Sequence, residues 1–154
     1  VYENSPLNTA DSSDFPAKMR PGSSAADAAI EGAGGEKWLL ECLGGRFVAM
    51  ISAKDYQGDA LDDLQDQIRM LRRDAKEIDL LLIDAPESMA EMAGEGCRLV
   101  SDEKCLVAQR YDLHAGNVYL FRPDQHVCAR WRNLDASNLA AAMRRALGYE
   151  LESQ

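Results

Sequence analysis

Four cysteines are the residues of this chain best suited to redox or nucleophilic chemistry. No two of them form the closely spaced pair of a thiol–disulfide exchange motif, and they stand at Cys42, Cys97, Cys105 and Cys128. Their spacing also differs from the dense pattern that crosslinks small secreted domains, so we expect reduced thiols in a cytoplasmic protein. The nearest pair, Cys97 and Cys105, can form a disulfide only if the fold brings the two together.

Histidines and carboxylates offer two further sites. His126 and Cys128 alternate along a predicted strand and share one face, where His114 could complete a metal site. We favour a solvent-facing histidine and a packed thiol. Asp84 closes a predicted buried strand, where α/β proteins carry functional groups, and we interpret it as a cap or turn residue rather than a catalytic base. The sequence therefore assigns no catalytic, cofactor-binding or metal-binding residue.

Charge and glycine content argue against nucleotide or nucleic-acid binding. The glycine-rich stretch Gly32–Lys37 partly matches a phosphate loop, but no strand precedes it and Trp38 stands where a metal-binding hydroxyl belongs. The formal net charge of −9 repels nucleic acid and anionic lipid. Five arginines near the carboxyl end are interpreted as solvated charges on a hairpin and a helix: Arg122, Arg130, Arg132, Arg144 and Arg145.

The chain of 154 residues has the length of one domain, and no apolar run approaches the roughly 20 residues of a membrane helix. Residues 1–35 are rich in Ser, Asp, Ala, Gly and Pro without a hydrophobic period, so we expect an extended lead-in or linker with little cooperative packing. Residues 36–154 are predicted to form the folded domain. The first residue is Val1 and no secretory signal follows it, which favours a piece of a longer cytoplasmic chain.

Hydrophobic periodicity predicts the order of the elements. In chain order they are a short helical stretch at Trp38–Leu43, a strand at Arg46–Ala53, an amphipathic helix at Asp59–Ile78, a central strand at Asp79–Asp84, a short helix from Pro86 through Met92 ending at Gly94, a strand at Leu106–Tyr111, hairpin strands at Asn117–Phe121 and His126–Trp131, and a helix capped by Asp135 or Ser137 and ended by Gly148.

This order predicts an α/β fold of the thioredoxin-like type, with a mixed central β-sheet, a C-terminal β-hairpin and helices on both faces. A small flavodoxin-like fold would begin in a similar way. In the thioredoxin arrangement the reactive thiol follows the first core strand at a helix N-terminus, whose dipole favours thiolate. That position is filled here by Lys54–Asp59, which contains no cysteine.

Several short motifs in a common order extend this picture. They are Ser5–Leu7, Arg20–Gly22, Leu43–Phe47 and Tyr119–Val127. With them the chain resembles the C-terminal domain of FAD-dependent aromatic-ring hydroxylases, the family of phenol hydroxylase and 3-(3-hydroxyphenyl)propionate hydroxylase. The resemblance implies a parent monooxygenase that uses FAD, NAD(P)H and O₂, and whose N-terminal FAD and substrate domain is the partner of this one.

In that family the thioredoxin-like domain is a structural cover and subunit contact, so the resemblance implies a domain with no catalytic residue and no cofactor of its own. A homodimer is an open alternative. Two other functions also stay open. One is a divergent peroxiredoxin or thioredoxin-type redox protein that uses Cys97 or Cys105, and the other is a stand-alone binding module acting through the surface near Lys54–Asp59.

Overall fold

A computed structural model describes residues 15–89 and 96–152, with the main chain alone for 149–152. In chain order the elements are β1 (Glu31–Gly32), a 3₁₀ helix (Leu39–Cys42), β2 (Phe47–Ser52), α1 (Gly58–Asp74), β3 (Ile78–Ile83), β4 (Cys97–Ser101), α2 (Leu106–Tyr111), β5 (Val118–Phe121), β6 (Val127–Trp131) and α3 (Ala136–Glu152). No helix among these residues is long and apolar enough to cross a membrane.

The strands form one six-stranded sheet in the order β1-β4-β3-β2-β5-β6. The three central strands β4, β3 and β2 are parallel, because a crossover returns the chain in the same direction each time. β5 runs antiparallel to β2 and pairs with β6 as a hairpin, while β1 runs antiparallel to β4 at the other edge. The predicted mixed sheet with a C-terminal hairpin is confirmed.

One face of the sheet is covered by α1 and α3, and we call it the helix face. Apolar residues of α1 recur at helical spacing and are buried against the sheet: Leu64, Ile68 and Leu71. α3 adds Leu139, Ala142, Met143 and Ala146. The carboxylate of Asp135 accepts a hydrogen bond from the main-chain N–H of Asn138 at 2.9 Å, so Asp135 is the helix cap.

The opposite face is covered by irregular structure. Residues 15–30, which we call the strap, run from the β6 edge of the sheet to the β4 edge, and the 3₁₀ helix and α2 fill the remaining surface of this strap face. The strap buries Phe15, Ala28 and Ile30. Part of the predicted lead-in therefore packs on the domain, and the expectation of little cooperative packing was wrong for these residues.

Near the β6 edge the strap is held by main-chain pairing. The N–H of Gly22 donates to the carbonyl of Val127, the N–H of Val127 donates to Ser23, and the N–H of Ala25 donates to Gln125. Further along, the hydroxyl of Tyr111 donates to the carbonyl of Ala26 at 2.6 Å. The strap is thus anchored by groups that lie about 100 positions later in the chain.

Three predicted elements differ from the structure. The predicted strand Leu106–Tyr111 is the helix α2, because the buried carboxylate of Asp102 accepts hydrogen bonds from the N–H groups of Val107 and Ala108 and so caps a helix there. β4 takes the place of that strand in the sheet.

Two helix ends were also placed wrongly. α1 ends at Asp74 because Ile78 starts the buried strand β3, and α3 continues through Gly148 as far as Glu152. Residues 87–89 are helical as predicted, while the rest of the short helix predicted through Met92 lies outside the described residues.

Candidate functional site

The junction between β2 and α1 is the position where this fold would carry a reactive thiol. β2 is buried along its whole length, and Lys54 and Asp55 turn the chain into solvent at its end. Asp55 adopts a left-handed conformation with φ of 61°. Gln57 is the residue before α1, and its side chain makes no capping hydrogen bond to the helix. The exposed groups at this helix N-terminus are an amine, carboxylates and an amide, and none of them is a redox-active nucleophile.

A groove of about 220 Å³ lies beside the junction, between α1, the loop before β5 and the loop after β6. Tyr56 reaches across it to Gly116, where any side chain would overlap the phenol oxygen, so only glycine fits. Gly116 also has φ of 85°, which glycine tolerates best. Asn133, Gln67 and Asp63 give the groove a polar rim. These groups can donate and accept hydrogen bonds, but they provide no nucleophile.

The four cysteines lie elsewhere in the described structure, and none of them forms a disulfide. Burial raises the pKa of the Cys42 thiol above its ordinary value, and burial does the same for the pKa of Cys97. Burial raises the pKa of Cys128 to about 12. A thiol reacts as its thiolate, so these three are held in the unreactive form at neutral pH. Cys105 is exposed at the start of α2.

The fold does not bring Cys97 and Cys105 together. Cys97 opens β4 and packs with the helix face, whereas Cys105 follows the other end of β4 and precedes α2 on the strap face. The four residue steps of β4 alone span about 13 Å, and a disulfide requires Cα atoms within about 7 Å. Direct pairing of these two thiols would require the sheet edge to rearrange.

The histidines and Asp84 serve local structure. His114 is exposed and its Nε2 lies 3.0 Å from the carboxylate of Asp112. His126 lies beside Asp124, while Cys128 is fully buried. No group of three or more potential metal ligands occurs within residues 15–89 and 96–152. Asp84 is a turn residue with φ of 55°, and its carboxylate accepts the N–H of Asp102.

The glycine-rich stretch Gly32–Lys37 forms a hairpin turn after β1. Gly32 donates its N–H to the carbonyl of Glu36, and the Glu36 side chain folds back against Gly32 and Gly34. A carboxylate therefore occupies the concave side of the turn, where a phosphate loop presents N–H groups to an anion. The turn does not fit a phosphate or pyrophosphate group.

Two of the five C-terminal arginines, Arg122 and Arg130, are buried, so the interpretation as solvated charges was wrong for these two. Arg144 and Arg145 are exposed. Arg122 is 3% exposed and forms a two-pronged ion pair with Asp124. Arg130 is 2% exposed, because its side chain projects from β6 onto the strap face beside Tyr119. Alternation along the strand places it on that face. The strap that covers it comes from too far away in sequence to be foreseen.

Arg130 anchors the start of the strap. Its guanidinium donates to the main-chain carbonyls of Pro16 at 2.7 Å and Lys18 at 2.6 Å, and it lies 4.7 Å from the ring centre of Phe15. Arg132 lies over the same ring at 3.7 Å and pairs with Asp112. Hydrogen bonds, ion pairing and cation–π contacts thus fix Phe15, Pro16 and Lys18 on the strap face.

Neither a family model nor a curated protein matches this chain. Its fold is nevertheless shared by many solved structures. A thioredoxin-like protein from Bacteroides caccae is 15% identical, with a TM-score of 0.60 over 82% of this chain and 50% of that one. A thiol peroxidase from Chromobacterium violaceum is 16% identical, with a TM-score of 0.61 over 87% of this chain and 90% of its own.

A third similar structure is the flavin-dependent monooxygenase PieE, solved in complex with FAD and substrate. It is 24% identical, with a TM-score of 0.62 over 91% of this chain. The match covers 22% of the monooxygenase, so this chain corresponds to a minor part of that protein. At these identities the similarity concerns the backbone arrangement, and the conclusion is that the chain has a thioredoxin-like fold.

Proposed function

We propose that this chain is a non-catalytic C-terminal structural and association domain of a FAD-dependent aromatic hydroxylase that uses NAD(P)H in the cytoplasm. The observation that carries the proposal is the β2–α1 junction, where Lys54–Asp59 fills the position of the thiol. The order of the short motifs and the similarity to part of a flavin-dependent monooxygenase support the family assignment. In this proposal, the oxidation chemistry belongs to the preceding FAD and substrate domain.

The anchored strap suits such an arrangement. Arg130 holds Pro16 and Lys18 on the domain by two charge-assisted hydrogen bonds. The contacts of Arg132 with Phe15 and Asp112 add a second restraint.

In this proposal FAD and NAD(P)H are bound by the rest of the parent protein. The glycine-rich turn presents the carboxylate of Glu36 where pyrophosphate would need N–H donors. No step of the hydroxylation is therefore attributed to residues of this domain.

Insulin reduction and peroxide consumption by the purified chain test the non-catalytic role. We expect neither activity, and we expect no flavin absorbance. A positive counterpart to the unmodified chain is the double variant Gln57→Cys/Ala60→Cys, which places two thiols at the start of α1. The single variant Gln57→Cys is its control. The double variant should gain insulin reduction that the single variant lacks. Thiol-dependent turnover by the unmodified chain would overturn the proposal.

The proposal that this chain belongs to a longer flavoprotein is tested on the coding sequence upstream of Val1 and on the protein that it encodes. A reading frame that continues upstream into a FAD domain, with a product that carries flavin absorbance, is the expected result. A frame that begins at a methionine immediately before Val1 would instead favour a stand-alone binding module that uses the surface near Lys54–Asp59.

A redox role for Cys105 is the second candidate, because this thiol is exposed and one similar structure is a thiol peroxidase. Mild peroxide treatment followed by mass spectrometry separates the candidates. A stoichiometric sulfenate on Cys105, or a disulfide between Cys97 and Cys105, would favour the redox protein. Unchanged thiols under conditions that oxidise a peroxidase would favour the structural domain.

A further inference from the structure

The strap is joined to the rest of the domain by one exposed turn. Residues 33–35 are exposed, and an added side chain at Gly35 would meet no atom within 4 Å. On either side of the turn the chain pairs with itself as a narrow hairpin. The N–H of Ile30 donates to Lys37, and the N–H of Leu39 donates to Ala28. Ala33 is tied to β4, because its N–H donates to the carbonyl of Leu99, while Gly35 donates its N–H within the turn, to Gly32. Gly34 and Gly35 therefore connect two anchored parts of the chain.

The closed turn contains a poorly accommodated carboxylate. The Glu36 side chain is 16% exposed and lies against Gly32 and Gly34, with its Oε1 within 3 Å of the position of a Cβ on Gly34. This Oε1 is buried and has no hydrogen-bond donor among the described residues. Its Oε2 lies 3.8 Å from Arg98. An unsatisfied buried oxygen of this kind destabilises the arrangement that holds it.

Apart from local bonds such as that from the N–H of Ser23 to Arg20, the strap is held by residues outside it, and a second copy can make the same contacts. If the turn opens, the strap of one copy can reach the anchoring residues of the other: Arg130, Tyr111, Gln125, Val127 and Leu99. Pairs such as Ala28 with Leu39 and Ile30 with Lys37 are nearly symmetric about the turn. Two opened segments can therefore pair antiparallel around a two-fold axis.

We infer that this chain forms a dimer by exchanging its strap, together with β1 and Ala33, between two copies, with Gly34 and Gly35 as the hinge. The monomer and the exchanged dimer share every strap contact, and they differ at the turn. Straightening the turn removes the concave surface that encloses Glu36 and returns its carboxylate to water. The partner in the association role proposed above is then a second copy of this chain, so this inference rests on that role. The proposed lack of catalysis is tested separately, by the insulin and peroxide assays.

A crosslink across the strap tests the exchange directly. Ser24 and His126 face each other on the strap and at the start of β6, and paired antiparallel residues lie within disulfide reach. The variant Ser24→Cys/His126→Cys is made with Cys105→Ser to remove the exposed native thiol. After refolding at high protein concentration and oxidation, we expect covalent dimers on a non-reducing gel. Each single cysteine variant, treated alike, is the control.

Changing the hinge provides the second test. Deletion of Gly34 and Gly35 leaves too little chain to close the turn, so the deletion variant should have twice the monomer mass by light scattering. Glu36→Ala removes the unsatisfied oxygen from the closed turn and should raise the dimer dissociation constant at least about tenfold.

Two results would overturn the exchange. One is a deletion variant that folds as a monomer. The other is a crosslinked protein that contains disulfides within single chains alone, after refolding at the highest concentration. The crosslinking result decides the matter if the deletion variant does not fold.

Discussion

The two faces of the sheet are covered by different physical means. The helix face lies under two 17-residue helices whose apolar side chains pack on the strands. The strap face lies under a segment without regular structure, which polar groups of β6 and α2 hold by hydrogen bonds. The first covering depends on periodic burial and the second on a few specific contacts. The comparison shows how a small domain can attach a long irregular segment firmly.

The difference predicts two kinds of stability. Losing a contact on the helix face should destabilise the whole domain, since both long helices share one core with the central strands. Losing a contact on the strap face should release the strap while the sheet and the helices stay folded. Single substitutions on the two faces test this division, and amide hydrogen exchange reports which residues open.

The largest effect is expected from Ile68→Ala in α1. Ile68 is fully buried on the helix face, so its truncation should lower the free energy of unfolding by about 4 kcal/mol. Denaturant unfolding measures the loss, and hydrogen exchange should accelerate throughout the sheet. The neighbouring Arg69→Ala, at an exposed position, is the control and should change stability by less than about 0.5 kcal/mol. Faster exchange confined to α1 would contradict a shared core.

The next effect is expected from Arg130→Met, which keeps much of the side-chain volume but removes the donors to Pro16 and Lys18. We expect a loss of about 2–3 kcal/mol, with faster hydrogen exchange in the strap and little change in α1. Arg144→Met is the matched control, because Arg144 is exposed on α3 and donates to the carbonyl of Asp74 at the end of α1. Equal acceleration in strap and helices would show that the two faces are one cooperative unit.

A smaller effect is expected from Tyr111→Phe, which removes the hydrogen bond to Ala26 and should cost about 1 kcal/mol. Burial raises the pKa of Tyr111 above its ordinary value of 10.0. Its contribution to stability is therefore complete below about pH 10 and is lost as the pH rises through the higher pKa of the folded state. The melting temperature of the variant should therefore fall less steeply than that of the unmodified chain as the pH rises in alkali. Identical slopes would contradict this assignment.

The smallest effect is expected from Asp112→Asn at the rim of the strap face. The hydrogen bond from Arg132 lowers the pKa of Asp112 below its ordinary value of 3.8. Its contribution is present above about pH 4 and is lost as the pH falls through the lower pKa of the folded state. Because the group is exposed, we expect less than about 1 kcal/mol. In acid, the melting temperature of the variant should depend less on pH than that of the unmodified chain. An equal dependence in both would contradict the pairing of Asp112 with Arg132.

Sequence patterns identified the helix face and the strands β2 and β3, because their signals are local, whereas β4 was missed. The four apolar residues of Leu80–Ile83 predict a strand buried on both faces, and the spacing of Leu64, Ile68 and Leu71 predicts α1. The junction at Lys54–Asp59 follows from the same two elements. The amino-acid sequence alone therefore reveals that the junction contains no cysteine.

The strap face could not be predicted as well, because its determinants are distant in sequence. α2 resembles a strand in its β-branched and aromatic residues, and it becomes a helix through the cap provided by Asp102. The burial of Arg130 depends on carbonyls of the strap, and the strap residues show no period of their own. The groove beside Tyr56 likewise requires Gly116, which lies far along the chain.

The bond between Arg130 and Lys18 spans 112 positions of the chain, and this has a consequence for synthesis. The strap leaves the ribosome before the strands of this domain, but its anchor Arg130 emerges only with the last strand, β6. At ordinary translation rates of about 5–20 residues per second, the strap is exposed for roughly 6–20 seconds without its anchor. In the exchange proposed above, this interval is the time during which a second nascent chain on the same messenger can provide the anchoring residues.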